Sequence, residues 1–391
     1  MEMQLSEAQK EQYHLFRQFA DEEIAPYAAR FDAEEQMPRE MIQKVAGQGF
    51  LGAVLPKDVG GMGYDMTLFG LLNEQLGRAC SSVRSLITVH SMVSFAIKRW
   101  GNKGQKTAWL PVLAKGEKIG AFGLSEPNVG SDARNMETTA TKKGESYVLN
   151  GVKKWTTFGE IADVYLIFAM LDGQPAAFLV ERGQPGLETK PIRGLLGTRG
   201  SMVAELQLKD CVIPVINRVG GRGFGFAGVA LSCLNLGRYS VAWGCVGLGQ
   251  ACLEASLAYS QQRVQFGVPL KDHQLIQQLL TNMYTQTKSA RLLCHHAGLL
   301  QEQDHVCAVQ ETLVAKYAAS VAASQSATNA VQIHGANGCS SDYPVSRYHR
   351  DAKIMEIIEG STQMQQVMIA EHAHQMFKMG HRLDELIGQR G

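Results

Sequence analysis

The chain changes its local pattern twice, and this division constrains its fold more than any other feature of the sequence. Apolar residues recur at helical spacing up to about residue 118, short apolar or alternating runs separated by Gly and Pro follow, and helical spacing returns at Leu231. This order predicts a mainly α fold with a central β domain. We place an N-terminal helical domain at 1–118, a small antiparallel β domain at 119–225 and a C-terminal four-helix bundle at 226–391.

Within the central block, the pair Asn150-Gly151 is a strong turn signal. Asn-Gly tolerates the positive φ angles of a tight hairpin turn, and apolar residues flank it at 147–149 and 152–155. We therefore predict a hairpin turn at this pair. Further strands are predicted at 165–170, 177–180 and 204–208.

The helical blocks carry their own start and stop signals. Ser6 is a candidate N-cap for a helix that includes Phe16 and Phe19, and Asp272 is a candidate N-cap later in the chain. A helix of small residues is expected to end near Gly335.

Composition excludes several classes of function. The net charge of +1, without a basic run, gives no general attraction to nucleic acid. The eight cysteines form no Cys-x-x-Cys pair, so neither a zinc site nor a disulfide framework is expected. The N-terminus is polar, and no apolar run approaches the roughly 20 residues of a membrane span. We expect a cytoplasmic globular protein.

Residues 223–228 formally match the pattern G-x-G-x-x-G. A dinucleotide-binding loop needs a βαβ unit around it and an acidic residue about 20 positions further on. Neither is present, because the chain continues directly into an apolar helix. We interpret this segment as a flexible domain linker.

The apolar stretch 81–100 predicts a buried helix that contains Arg84 and His90. We interpret His90 as a core histidine whose hydrogen bonds are satisfied. A buried guanidinium needs an anionic or carbonyl partner, so Arg84 indicates either an internal Asp or Glu or the carboxylate of a substrate. The sequence leaves both alternatives open.

Glu359 is a single carboxylate between an apolar lead-in and the small residues Gly360, Ser361 and Thr362. A carboxylate with few waters around it can act as a base near neutral pH. A helix-capping role is the structural alternative, because the next helix is predicted to begin at Gln363.

Five motifs in order resemble the acyl-CoA dehydrogenase family of flavoenzymes. They are FGLSEPNVGSD at 122–132, KKWTTFG at 153–159, RVQFGVPLKDHQ at 263–274, QIHGANG at 332–338 and RDAKIMEIIEGSTQ at 350–363. The resemblance covers nearly the whole chain and implies FAD, bound between the β domain and the C-terminal bundle of a homotetramer or homodimer. By position, the residues along the flavin ring would be Phe122, Leu124, Ser125, Trp155 and Thr157, with the Thr157 hydroxyl close to flavin N5.

The resemblance also assigns residues to the rest of the cofactor. Ser131 would lie near the FAD phosphates and the thioester ligand. Gln332 and Gly335 would belong to the segment that holds the adenine side, and Ser361 and Gln363 would touch the cofactor after the base. Three side chains would reach the FAD of a neighbouring subunit: Arg263, Phe266 and Gln274.

Glu359 matches the catalytic base of the family. The resemblance implies that it takes the α-proton of an acyl thioester while the β-hydride passes to flavin N5, which gives a trans-2-enoyl thioester. The Glu359 backbone N–H and a flavin ribityl hydroxyl would stabilise the thioester oxygen. Some members place the base one residue before Arg238, but that position is Gly237 here. Electrons would then pass to an electron-transfer flavoprotein or another acceptor.

Several features bear on the substrate. Arg84 lies on the helix whose counterpart lines the acyl pocket, and Ser131 and Arg238 are further candidate substrate contacts. The stretches GLSEPNVGSD and RYSVAWG are similar to glutaryl-CoA dehydrogenases, whereas CSSVRSLITVHSMV is similar to acyl-ACP dehydrogenases that make polyketide extender units. Asn235 falls where some relatives have an acidic contact to CoA, so CoA and a carrier protein both stay open.

The leading hypothesis is therefore an FAD-dependent dehydrogenase of a short or polar acyl thioester, on CoA or on an acyl-carrier protein. A flavin oxidase of the same fold is an alternative, and peroxide production in air would identify it. A non-catalytic thioester-binding protein is another, and a colourless purified sample would identify it.

Overall fold

The computed structural model describes residues 5–380, and they form the three predicted blocks. The helices of the N-terminal block are α1 (Glu7–Phe19), α2 (Ala28–Glu34), α3 (Arg39–Gly47), α4 (Met66–Ala79), α5 (Ser81–Trp100) and α6 (Lys103–Ala114). The strands of the central block are β1 (Gly120–Gly123), β2 (Thr139–Lys143), β3 (Ser146–Thr156), β4 (Val164–Leu171), β5 (Gln174–Glu181), β6 (Leu187–Pro191), β7 (Ala204–Pro214) and β8 (Arg218–Val219).

The last block contains long helices with one small hairpin. The elements are α7 (Leu231–Gln262), β9 (Val264–Gln265), β10 (Val268–Pro269), α8 (Gln274–Glu302), α9 (Ala308–His334), α10 (Val345–Met355) and α11 (Thr362–Lys378). Helix α7 packs against α4, α5, α8 and α9, so it joins the two helical blocks. The predicted fold class is confirmed.

Local signals at the helix starts and ends are mostly used as predicted. Ser6 forms a capping box with Gln9, and both Phe16 and Phe19 are buried on α1. The helix of small residues ends at His334, with Gly335 in a positive-φ conformation. The prediction for Asp272 is wrong, because α8 begins at Gln274 and Asp272 ends a short 3₁₀ turn before it.

The sheet is mixed rather than purely antiparallel. Its strand order is β6-β7-β3-β2-β4-β5-β8, and β1 pairs with β4 off this path. Strands β1 and β2 both run parallel to β4, while the other pairs are antiparallel. Strand β3 and the segment 157–163 bring the chain back between β2 and β4, as parallel pairs require, because a parallel neighbour cannot be reached by a tight turn.

Asn150-Gly151 is not a hairpin turn. Strand β3 runs through the pair, with a shift of register against β7 between Leu149 and Gly151. The Asn150 Oδ1 accepts from the Asp210 backbone N–H over 2.8 Å and thereby fills the irregularity. The hairpin turn lies earlier, at Gly144, whose φ is 57°. The two apolar runs are thus one central strand that carries a β-bulge.

The glycine-rich segment 223–228 is packed rather than flexible. Gly225 and Gly228 are buried in a helical turn that leads directly into α7. A Cβ at Gly225 would overlap the backbone of Pro175 and Ala176 on β5. The glycines therefore allow this turn to lie against the sheet.

Helix α7 with the turn before it (Gly225–Gln262) is long and apolar enough to cross a membrane by length and composition, contrary to the expectation from the sequence. However, 72% of its most apolar window is buried inside the structure, as in the core helix of a globular protein. Of the residues that the structure describes, no group of three or more His, Cys, Asp or Glu could hold a metal ion, and the eight cysteines are free.

His90 is a core histidine, as predicted. Its Nε2 lies 3.0 Å from the carbonyl oxygen of Leu113, and its Nδ1 accepts from the backbone N–H of Gly120 over 3.2 Å. Burial lowers the pKa of His90 to about 4, so the ring is neutral at physiological pH. It links α5, the end of α6 and the start of β1.

Candidate active site

Glu359 lies in a left-handed turn between α10 and α11. Its φ is 56°, and that of Gly360 is 95°. The Glu359 Oε2 is shielded from solvent and has no hydrogen-bond partner among the residues described. Burial raises the pKa of Glu359 to about 7, while Arg238, Arg84 and Lys316 act in the opposite direction. The carboxyl is therefore close to half-ionised at neutral pH, which suits a general base.

The backbone around Glu359 leaves a donor free. The Glu359 carbonyl oxygen accepts from Arg238 Nε over 3.0 Å. By contrast, the backbone N–H of Glu359 donates to no backbone carbonyl in the described part of the chain. A free N–H beside a candidate base can stabilise negative charge on a substrate oxygen.

Gly237 provides the space for the carboxylate. A Cβ at this position would lie 2.7 Å from Glu359 Oε2 and 2.9 Å from Met92 Sδ. Glu359 thus lies where α7 and α5 approach each other, and a side chain at residue 237 would displace it.

Arg84 is buried beside the same two helices without a carboxylate partner. Its side chain is 1% exposed. Its Nη1 donates to Thr88 Oγ1 over 2.9 Å, and its Nη2 lies 3.3 Å from Ser85 Oγ and 3.2 Å from Met355 Sδ. These partners are neutral, and burial lowers the pKa of Arg84. Among residues 5–380 no Asp or Glu forms a hydrogen bond or an ion pair with Arg84, although Glu359 and Asp351 are close enough to oppose the effect of burial on its pKa.

Arg84 and Glu359 face the α5–α7 contact at different levels. Met92, next to Glu359, lies eight residues beyond Arg84 on α5, a distance of about 12 Å along a helix. At the Arg84 level the facing α7 residue is Gly244, where a Cβ would lie 2.9 Å from Arg84 Cδ. A shielded carboxylate and a buried cation are therefore arranged along one pair of helices.

The residues predicted along a flavin ring lie on β1, its extension and the end of β3. Leu124 is buried in one apolar cluster with Met92 and Cys233, and Phe122 packs against it. Trp155 is 52% exposed with a φ of 64°, an uncommon conformation for a large side chain. Thr157, two residues further on, is partly exposed. These residues fit a flat apolar ring, because Trp155 offers a partly exposed aromatic surface and Phe122 and Leu124 offer apolar side chains on the neighbouring strand segment.

A buried ion pair supports this strand from behind. Lys153 Nζ donates to Glu126 Oε1 over 2.6 Å and to the carbonyl oxygen of Leu124 over 3.1 Å. On the other side of the strand segment, the Ser125 carbonyl oxygen accepts from the Lys154 backbone N–H over 2.8 Å. The backbone at 124–126 is thus fixed on both sides.

Other predicted site residues lie on the surface of the single chain. Ser131 is exposed in the loop after β1. Arg263, Phe266 and Gln274 are exposed on and after the β9–β10 hairpin, and Phe266 is 98% exposed. Within residues 5–380 their side chains form no hydrogen bond to Glu359 or Trp155, so a role at a neighbouring subunit stays a prediction.

The remaining predicted residues lie at helix ends and on α7. Gln332 and Gly335 are exposed at the end of α9. Ser361 caps α11, because its Oγ accepts from the Met364 backbone N–H over 3.3 Å, and Gln363 is exposed in the first turn. Asn235 lies two residues before Gly237, and its Oδ1 is buried without a hydrogen-bond partner among the described residues.

Sequence reasoning missed one buried cation near Glu359. Lys316 on α9 is 0% exposed, and its Nζ donates to the carbonyl oxygen of Gly360 over 2.8 Å. The signal was a single lysine in a helix of small and apolar residues, where a charge needs a partner.

Comparison with known proteins covers all three blocks. Acyl-CoA dehydrogenase family models match in order: the N-terminal domain at 6–117, the middle domain at 121–211 and the C-terminal domain at 221–374. The chain is 37% identical over 362 residues to the short-chain specific acyl-CoA dehydrogenase, mitochondrial, of Homo sapiens, which covers 91% of this chain and 87% of that protein.

Two solved structures share the whole architecture. A glutaryl-CoA dehydrogenase from Mycobacterium smegmatis in complex with FADH2 has a TM-score of 0.91 and 30% identity, over 94% of this chain and 95% of that one. FkbI, described as serving biosynthesis of the methoxymalonyl extender unit of the polyketide Fk520, has a TM-score of 0.85 and 33% identity, over 93% and 99% of the two chains.

Proposed function

The chain belongs to the acyl-CoA dehydrogenase family of FAD-dependent oxidoreductases, and from that premise we propose that it dehydrogenates a short acyl thioester with a polar or carboxylate end. One observation carries the reaction: the shielded Oε2 of Glu359 has no hydrogen-bond partner among the described residues and faces Gly237. The buried Arg84, whose partners are neutral, supports the choice of substrate.

Glu359 removes the α-proton of the bound thioester. Its carboxylate is available for this step because it is not engaged by Arg238, which donates to the Glu359 carbonyl oxygen instead. The free backbone N–H of Glu359 donates to the thioester oxygen and stabilises the charge that develops as the α C–H bond breaks. FAD, when bound, supplies the acceptor for the β-hydride, so the product is an enoyl thioester. Substrate binding excludes water and strengthens the base.

Arg84 binds the far end of the acyl group. The Arg84 guanidinium bonds only neutral groups among the described residues, so a substrate carboxylate would provide it with a charge-assisted partner. The Arg84 Nη2 lies 3.2 Å from Met355 Sδ, four residues before Glu359, so the cation stands close enough in the fold for a short acyl group to reach both. The similarity to a glutaryl-CoA dehydrogenase supports the same substrate class.

A carrier-protein thioester is the second candidate substrate. Residues 80–93 resemble acyl-ACP dehydrogenases of extender-unit pathways, and FkbI is similar over 93% of the chain. The acyl chemistry at Glu359 and Arg84 is the same for both carriers, so the choice concerns only the surface that receives the pantetheine arm.

We further propose a homotetramer or homodimer that passes its electrons to an electron-transfer flavoprotein or another acceptor. A second copy is supported by apolar side chains that are exposed on the hairpin and on α8, among them Phe266, Leu275 and Tyr284. Arg263 and Gln274 would then contribute to the cofactor of that copy.

Anaerobic flavin bleaching tests the reaction and the substrate together. The purified protein is mixed with butyryl, isovaleryl, glutaryl and hydroxyacyl groups, each on CoA and on a phosphopantetheinyl carrier protein. Glu359→Gln should retain flavin but lose about 10²- to 10⁴-fold in bleaching rate. Arg84→Met should lose roughly 10- to 100-fold for carboxylate-ended groups relative to butyryl.

Arg99→Met on the same helix is the matched control, because Arg99 is exposed near the end of α5 and lies outside this contact. Near-normal bleaching by Glu359→Gln would overturn the base assignment. Equal losses for butyryl and glutaryl groups in Arg84→Met would overturn the carboxylate-ended substrate. Bleaching only by carrier-bound groups would select the second candidate.

A further inference from the structure

Lys316 is buried in α9 although no carboxylate within residues 5–380 forms an ion pair with it. Its Nζ is directed at a backbone carbonyl, that of Gly360, over 2.8 Å. Burial lowers the pKa of Lys316 to about 8, a shift that the charges of Glu359 and Glu356 partly oppose. An ammonium group removed from water without a counterion is costly, so its position needs a reason beyond packing.

The carbonyl that Lys316 binds belongs to the turn that carries the base. Glu359 and Gly360 are consecutive residues with positive φ, and a non-glycine residue in this region is strained. Such a turn points its carbonyls away from the helical hydrogen-bond pattern. Three side chains donate hydrogen bonds to these carbonyls. Arg238 Nε donates to the Glu359 carbonyl over 3.0 Å, and Lys316 Nζ donates to that of Gly360. Gln365 Nε2 lies 3.3 Å from both carbonyls.

Arg238 and Lys316 donate to backbone carbonyls, and neither donates to the Glu359 carboxylate. Arg238 on α7, Arg84 on α5 and Lys316 on α9 are the cations that oppose the effect of burial on Glu359. None of them donates to Glu359 Oε2, which has no partner in the described part of the chain. A direct ion pair would hold the carboxylate and lower its basicity, whereas a bond to the neighbouring carbonyl fixes the turn and keeps the base free.

We propose that Lys316 is a positioning residue for Glu359: its hydrogen bond to the Gly360 carbonyl fixes the turn that carries the carboxylate. The inference rests on the proposed role of Glu359. Gln365 alone cannot replace Lys316, because its amide is uncharged and lies 3.3 Å from each carbonyl, at the long limit of a hydrogen bond.

Two substitutions separate the hydrogen bond from the charge. Lys316→Met removes both, and Lys316→Gln removes the charge but keeps an N–H donor. We expect Lys316→Met to lower kcat by roughly 10- to 100-fold with little change in KM, since a buried acceptor loses a charged donor. Lys316→Gln should recover part of kcat. In both variants the ascending limb of the pH profile of kcat/KM should move to higher pH, because a cation that lowers the pKa of Glu359 is lost.

Ser320→Ala is the matched control, because Ser320 is a buried polar residue one turn along α9 that bonds only the Tyr317 carbonyl. Flavin content and thermal midpoint are measured for every variant, since a purely structural role would lower both and leave the pH limb unmoved. The inference is overturned if Lys316→Met retains kcat within about twofold, or if its pH limb coincides with that of Ser320→Ala. If Glu359→Gln, run in parallel, stays active, the proposed function fails and the inference fails with it.

Discussion

The hydroxyl oxygens of Thr88 and Ser240 lie 2.6 Å apart, buried between α5 and α7. Ser240 also donates to Asn73 Oδ1 over 2.6 Å, and the Asn73 Nδ2 donates to the Phe69 carbonyl, which fixes the orientation of the amide. Because the Ser240 proton is committed to Asn73, Thr88 must donate to Ser240 and can accept from Arg84. The chain of donors ends on a neutral amide, so it orients the guanidinium without neutralising it.

Ser240→Ala tests this chain of donors. The Thr88 proton is then free to turn to the Arg84 carbonyl, 3.1 Å away, and the Asn73 Oδ1 loses its partner. We expect kcat/KM for a glutaryl thioester to fall roughly 10-fold relative to a butyryl thioester, the effect of one hydrogen bond to a charged group. Ser256→Ala is the control, since Ser256 is buried on the same helix and donates only to the Cys252 carbonyl one turn earlier. Equal losses for both substrates would contradict the role of Ser240.

Gly237→Ala tests whether the carboxylate needs the space beside α7. The added Cβ would lie 2.7 Å from Glu359 Oε2, so the side chain of the base must move. A displacement of about 1 Å at a reacting group can cost about 100-fold in rate, and we expect a loss of this size in kcat/KM with flavin retained. Gly249→Ala provides the control, because its Cβ would meet Thr287 Oγ1 at 2.9 Å, a similar crowding on the same helix against α8. Comparable activity of the two variants would show that Glu359 tolerates the shift.

Removing the base should stabilise the protein above neutral pH. The pKa of Glu359 is about 7 in the folded chain, above its ordinary value of 4.5, so folding favours the protonated form. Its contribution to the free energy of unfolding is fully present below pH 4.5 and is lost as pH rises through 7. The ionised carboxylate then costs at most about 3 kcal/mol at pH 8.5.

Glu359→Gln is neutral at every pH and should therefore have a higher thermal midpoint than the unsubstituted protein at pH 8.5, with a smaller difference at pH 5. Differential scanning calorimetry of the flavin-bound proteins at the two pH values measures this. Glu356→Gln is the control for loss of one charge in the same segment, because Glu356 directly follows α10 and forms its ion pair with the exposed Lys353. A lower midpoint for Glu359→Gln at both pH values would contradict the burial of an ionised base.

The sequence predicted features that depend on residues close together in the chain. Helix α1 begins at Ser6 because a serine and a glutamine three residues later cap each other, and α5 is buried because its residues are apolar or small on every face. At Glu359 the local stretch alone left a base and a helix cap open, and the prediction of a base came from the resemblance of the whole chain to the family.

Features that depend on distant contacts were not predictable in this way. Asn150-Gly151 has the chemistry of a turn, yet β7 provides a partner strand on one side and β2 on the other, so the pair becomes a bulge in a central strand. The partners of the buried polar groups are equally remote: 44 residues separate Lys316 from Gly360, and 152 separate Thr88 from Ser240. Local periodicity contains no information about such pairs.

The ion pair between Lys153 and Glu126 should be a main determinant of flavin retention. Both side chains are inaccessible, at 0% and 1% exposed, and the Glu126 carboxylate also accepts from the backbone N–H groups of Glu137 and Thr138 over 2.5 and 3.0 Å. The pair thereby holds the loop 126–138 and the carbonyl of Leu124 in place. Loss of one partner leaves the other charge buried and unpaired, which costs about 3–5 kcal/mol.

We therefore expect Glu126→Gln and Lys153→Met each to lower the temperature at which the flavin is released, measured by the rise in its fluorescence. The double variant Glu126→Leu/Lys153→Met should lower this temperature by less than the sum of the two single effects, because no unpaired charge remains. Lys142→Met on the exposed strand β2 serves as the control for loss of a lysine from this domain. Additive effects would mean that the two side chains act independently. In that case the conformation of residues 124–126 would depend on the backbone bond between Lys154 and Ser125 rather than on the buried pair.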